Sequence, residues 1–123
     1  MPNPQPILIS AEEMQKTLKS ILLKHHFPKK RAEECAAIFT QNSIDGIYTH
    51  GINRFPRFVQ YIQKGYVIPD AKPTRMHRFG GIEQWNGQLA PGPSNAIFAT
   101  ERAMKLAEKY GIGCVALANT NHW

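Results

Sequence analysis

Cysteine is scarce in this 123-residue chain: Cys35 and Cys114 are its two, far apart and without CxxC or other metal-ligand spacing. That argues against a disulfide-stapled scaffold or a local zinc site, so no metal is expected, and two buried thiols in a reducing, cytoplasmic setting are. Long apolar runs are also missing. None approaches the roughly 20 residues needed to cross a bilayer, so no membrane association is expected. The start, MPNPQPILIS, has neither a basic n-region nor a long apolar stretch, and no secretory signal is expected. Acidic residues are few, nine against 15 Lys and Arg, for a formal net charge of +6. This balance favours an anionic partner: a carboxylate substrate, a phosphate-bearing cofactor or nucleic acid. The cations are scattered, however, and the one dense run, PKKR at 28–31, reads as a helix start on a solvated face. Nucleic acid is therefore the weaker choice. The length suits one domain's worth of core, with no repeat and no low-complexity segment.

What is present divides into a helical first part and a mixed second part. SAEEMQKTLKSILLKHH opens with a capping signature, Ser10 followed by Glu13, and predicts a helix over Ala11 to Lys24 with Met14, Leu18, Ile21 and Leu22 on its apolar stripe. His25 and His26 close it. Adjacent helical residues point about 100° apart, so the pair makes a poor chelate. Pro28 suits the first turn of a second helix, Lys29 to Ile44, with a small-residue face of Ala32, Cys35, Ala36, Phe39 and Ser43. A third helix ends at Lys64, before Gly65. Gly80-Gly81 predicts a tight hairpin between TRMHRF and IEQWNG. Ser94 is the expected N-cap of a fourth helix with Ile97, Ala103, Met104 and Ala107 inward, ended by Gly111. IGCVALA predicts a strand buried on both faces. It leads to polar NTNH, at the strand end where sites form in α/β proteins, and the chain then looks cut.

The densest chemistry lies in DGIYTHGINRFPRF, residues 45–58. If the third helix begins near His50, then His50 and Arg54 share one face at its N-terminal end, where free amides favour an anion. Arg54 can grip a carboxylate through two parallel hydrogen bonds, and His50 can exchange a proton with a neighbouring oxygen. Gly51 is expected to leave room for a ligand. The pair fits a 2-oxo or 2-hydroxy acid. The alternative stands beside it: a hydrogen-bonded structural histidine, Arg57 lying over apolar surface, and Tyr48, Phe55 and Phe58 as core.

GIYTHGINRFPRF, GYVIPDAKP, IEQW and GIGCVALANTNHW together resemble the malate/L-lactate dehydrogenase-like oxidoreductases, in particular their 2,3-diketo-L-gulonate reductase branch. The similarity runs in order from about Ser10 to Trp123 and corresponds to about the first third of a family member. It implies a non-Rossmann α/β fold, in agreement with the missing GxGxxG: N-terminal helices (residues 1–72), then the start of a mixed sheet with flanking helices (73–123), truncated, in what would be a homodimer when complete. It implies reduction of a 2-oxo acid such as 2,3-diketo-L-gulonate by NADH, with NADPH not excluded. The family's proton donor falls on His50, its carboxylate arginine on Arg54, its substrate-side hydroxyl on Thr49, and a second histidine at the site on His122. Most cofactor contacts of the family lie beyond Trp123. Two other readings remain open, a truncated remnant without catalysis and a small basic nucleic-acid-binding module.

Overall fold

The computed structural model describes residues 4–121. Helix α1 spans Ala11–Lys24 and α2 spans Lys29–Ile44, as the capping and proline signals require. The Ser10 hydroxyl accepts from the Glu13 amide at 3.2 Å, satisfying one free donor of the first turn. Leu18 and Leu22 of α1 are buried with Ala32, Cys35, Ala36 and Phe39 of α2. The small side chains of α2 leave space that Phe27, Phe55 and Phe58 fill, with Phe39 5.2 Å from Phe55 and 5.1 Å from Phe58 between ring centroids.

The third helix departs from expectation. Residues Tyr48–His50 form a 3₁₀ turn, and α3 begins only at Phe55, running to Gln63. Gly51 is non-helical, with φ −100° and ψ −135°, so the helical path is broken between His50 and Arg54. Arg54 is the N-cap residue of α3, and Pro56 falls in its first turn, where a missing amide costs nothing. Tyr48 is exposed because the 3₁₀ turn sits outside the aromatic cluster; Phe55 and Phe58 are in it.

The second part is a three-stranded mixed sheet in the order β1 (Thr74–Phe79), β2 (Ile82–Asn86), β3 (Cys114–Ala118). Strands β1 and β2 form the expected antiparallel hairpin, and β3 pairs parallel to β2 after the crossover through α4, Gly92–Tyr110. Helix α4 starts two residues before Ser94, directly after Pro91, whose fixed φ leads into it. Ser94 is therefore not the cap; its buried hydroxyl meets Glu34 and Cys35 of α2. Met104 faces solvent, and Leu106 takes the buried place on α4. Gly111 ends the helix in the left-handed region, φ 80°. Strand β3 is not buried on both faces: α4 lies against the face of Val115, and the opposite face, with Cys114, is exposed.

One face of the sheet carries a buried carboxylate. Glu83, with no exposed surface, is held by Arg102 of α4 at 2.6 and 2.7 Å and by the Trp85 ring nitrogen at 2.9 Å. A register shift between Arg75 and His77 turns Arg75 to the same side as Arg78, and both reach Glu83. Arg102's hydrogen bonds, opposed by burial, bring the Glu83 carboxyl down to about 2. No helix among the described residues is long and apolar enough to cross a membrane.

Candidate active site

The site begins at the last turn of α2. The Asn42 side-chain amide donates to the His50 carbonyl at 3.0 Å, and the Ile47 amide donates to the Asn42 carbonyl at 2.8 Å. Ser43 donates to Phe39 and accepts from the Ile52 amide, each at 2.9 Å. These bonds fasten both sides of the 3₁₀ turn to α2, so His50 stands on a clamped segment although it lies outside any α-helix. Gly51 serves this clamp. It is buried against Ser43, so the space it provides is taken by protein and not by a ligand.

His50 and Arg54 thus meet by a route that helical spacing does not describe. Both line a cavity of about 460 Å³, within the usual range for small-ligand sites. Asn42 and Asn121 add polar groups; Ile38 and Phe39 of α2 and Pro93, Ala96 and Ile97 of α4 supply apolar wall. Thr49 Oγ1 lies 3.2 Å from His50 Nδ1, and Arg54 Nε donates to the Thr49 carbonyl at 3.3 Å. The two Nη atoms of Arg54 have no hydrogen-bond or ion-pair partner among the described residues. They are available to an anion entering the cavity.

The polar run after β3 does reach this place. Asn119 turns the chain with φ 53°, a conformation asparagine tolerates. The Asn121 carbonyl then accepts from the Gly92 amide at 2.7 Å, and its side chain donates to the Tyr66 carbonyl at 2.7 Å. Asn95, buried in α4, steadies the same corner through Gly87, Ala90 and Thr120. His122 lies outside the described residues. Sequence reasoning missed Asn42, which an amphipathic helix pattern assigns to the polar side, and it placed Ser43 on the packing face of α2 without its bonds to Phe39 and Ile52. It also missed the burial of Glu83, because one carboxylate in a short strand carries no local sign of its arginines.

The family model for malate/L-lactate dehydrogenase matches residues 9–123. The chain is 44% identical over 115 residues to the 2,3-diketo-L-gulonate reductase of Pasteurella multocida, covering 94% of this chain and 35% of that protein. It is 43% identical, with the same coverage, to the reductase of that name from Haemophilus influenzae. Among solved structures, it superposes on the malate dehydrogenase of Entamoeba histolytica with a TM-score of 0.88 and 27% identity, over 96% of this chain and 33% of the other. The sulfolactate dehydrogenase of Methanocaldococcus jannaschii gives 0.89 and 28%, over 94% and 34%.

The chain belongs to the malate/L-lactate dehydrogenase family of oxidoreductases. It spans about a third of the length of the curated relatives it matches, and the four α-helices and mixed sheet of the described residues correspond to that share of the family fold.

Proposed function

We propose that these residues form the N-terminal part of a reductase that uses NAD(P)H to convert a 2-oxo acid, such as 2,3-diketo-L-gulonate, to the 2-hydroxy acid. The observation that carries this reading is the presence of His50 and the open end of Arg54 on one cavity. The names of the similar proteins support the substrate class, since malate, sulfolactate and diketogulonate are all acids of this type.

Arg54 holds the substrate carboxylate by paired charge-assisted hydrogen bonds, and His50 gives a proton to the adjacent oxygen as negative charge develops there. Asn42 and Ser43 hold the donor's backbone still, which serves positioning. The apolar wall of Pro93, Ala96 and Ile97 beside these polar groups fits a flat, weakly polar ring next to a small acid. When bound, the nicotinamide supplies the hydride. Residues 1–72 furnish the helical, substrate-holding segment, and 73–123 begin the α/β domain that the cofactor and substrate share. We assign the complete protein to the cytoplasm and to a homodimer. His122 is the second candidate for the proton donor.

A nucleic-acid-binding role draws less support, because Arg31, Arg75, Arg78 and Arg102 are engaged with protein acceptors and Lys19 pairs with Glu33. The deciding experiment starts with the intact mass of the protein from its own cells, followed by reduction assays on that form with NADH or NADPH and a panel of 2-oxo acids. His50→Ala should lower kcat by about 100-fold or more with a modest change in KM. Arg54→Ala should chiefly raise KM. Near-normal turnover in His50→Ala would transfer the donor role to His122. No reduction by the intact wild-type protein would favour a non-catalytic remnant.

A further inference from the structure

Thr49 touches both residues assigned to the substrate. Its hydroxyl lies against the His50 ring at Nδ1, and its carbonyl accepts from Arg54 Nε. We infer that Thr49 is the positioning residue of this site: its hydroxyl selects the histidine nitrogen that delivers the proton, and its carbonyl selects the arginine edge that receives the carboxylate. The inference rests on the reductase reading and gives Thr49 a role distinct from substrate contact.

The arginine half follows from donor geometry. A guanidinium can meet a carboxylate through its Nε–Nη edge or through the edge formed by its two Nη atoms. With Nε committed to Thr49, the second edge remains, and its atoms have no partner among the described residues. The acid is thereby held end-on.

The histidine half follows from proton balance. An imidazole acting as acid carries hydrogen on both nitrogens. In that doubly protonated state Thr49 Oγ1, 3.2 Å from Nδ1, can only accept from it, which leaves Nε2–H as the donor available to the ligand. As hydride from the nicotinamide cofactor adds to the carbonyl carbon, the C=O π pair moves onto oxygen, and the Nε2 proton bonds to that oxygen. The ring is left neutral, its remaining hydrogen still directed at Thr49. Solvent then restores the Nε2 proton. A hydroxyl suits this task because it accepts throughout the cycle without taking charge. The backbone beneath is fixed independently by Asn42 and Ser43, so the hydroxyl governs the ring and not the turn.

Thr49→Val keeps the side-chain shape and the carbonyl but removes the hydroxyl; Thr49→Ser restores it. Both are compared with His50→Gln in the complete protein, in steady-state reduction of a 2-oxo acid at saturating NAD(P)H. Thr49→Val should lower kcat by about 10-fold or more, leave KM within about twofold, and shift the pH profile of kcat. Thr49→Ser should return kcat to within about threefold of wild type and restore the profile. If His50→Gln loses about 100-fold while Thr49→Val keeps wild-type kcat, the assignment of Thr49 is overturned and the reductase reading stands. A Thr49→Val protein that loses KM as well as kcat also overturns it, since the carbonyl that sets Arg54 is unchanged. If His50→Gln turns over normally, the donor reading fails and the inference fails with it.

Discussion

A methyl group on Gly51 would lie 2.9 Å from the amide nitrogen of Ser43, and closer still to its hydroxyl oxygen. The turn carrying His50 therefore approaches α2 as closely as backbone and a hydroxyl permit. Gly51→Ala must push that turn outward, and an overpacked site of this kind costs about 1–3 kcal/mol. Thermal or denaturant unfolding would measure the loss, and the displaced His50 should lower kcat/KM in the same protein. Ser43→Ala, which removes the acceptor for Ile52 but opens space, should cost about 1 kcal/mol and disturb activity less.

Arg54→Lys separates charge from shape. Lysine keeps the positive charge but lacks the planar fork that binds a carboxylate through two parallel bonds. Steady-state assays of the complete protein should show KM raised by about 10-fold or more with a smaller change in kcat. A variant with unchanged KM would show that the carboxylate is held elsewhere.

Glu83 gives the fold an acid-sensitive element. Its carboxyl is lowered from an ordinary 4.5 to about 2 in the folded protein, first by Arg102. The folded state therefore holds its proton less readily than the unfolded chain does. The stabilisation from this group is complete above the unfolded value and fades as pH falls from about 4.5 towards 2. Melting temperatures across that interval should fall in the wild type. Glu83→Gln should lower the midpoint near neutrality, because three arginines lose their counter-charge, and should flatten the decline.

The two thiols should differ sharply in reactivity. Burial pushes the Cys35 thiol up to about 12, whereas Cys114 lies exposed on β3. Thiolate is the reactive species, so titration of this chain with a disulfide reagent at mildly alkaline pH should release one equivalent rapidly. The second should appear only on unfolding. Two fast equivalents would mean that the packing between α2 and α4 around Cys35 opens readily.

Much of the architecture was legible where local rules and packing agree. Ser10, Pro28, Gly80-Gly81 and Gly111 mark element ends with side-chain or backbone chemistry that depends on neighbours a few residues away. The Leu18/Leu22 stripe and the small face of α2 were equally clear. The break between His50 and Arg54 was hidden, because it arises from Ser43, eight positions before Gly51, and a helical reading joins the two residues at plausible spacing. Met104, read as inward, faces solvent and Leu106 is buried instead, since the orientation of α4 is fixed by the sheet beneath it, which the helix's own pattern does not encode. Cys114 and β3 look buried by composition alone, but α4 covers one face of the strand and Cys114 lies on the other. At the candidate site, the residue types of His50, Arg54 and Thr49 were visible, but the clamp from Asn42 and the approach of Asn121 exist only in three dimensions.

Residues 65–73 look by composition like a loose connector between helices and sheet, with Gly65, Pro69 and Pro73 along it. The fold makes them a strap. Arg31, reaching from α2, donates from one nitrogen to the carbonyls of Pro69 and Ala71 at 2.7 and 2.6 Å, and the Ile68 amide bonds to Leu89 at 2.8 Å. A protease needs an extended, freely moving stretch to draw into its cleft, and these bonds must break before this one can enter. The connector should thus resist nicking for as long as Arg31 holds it, making its cleavage a gauge of when the helical and sheet parts come loose from each other.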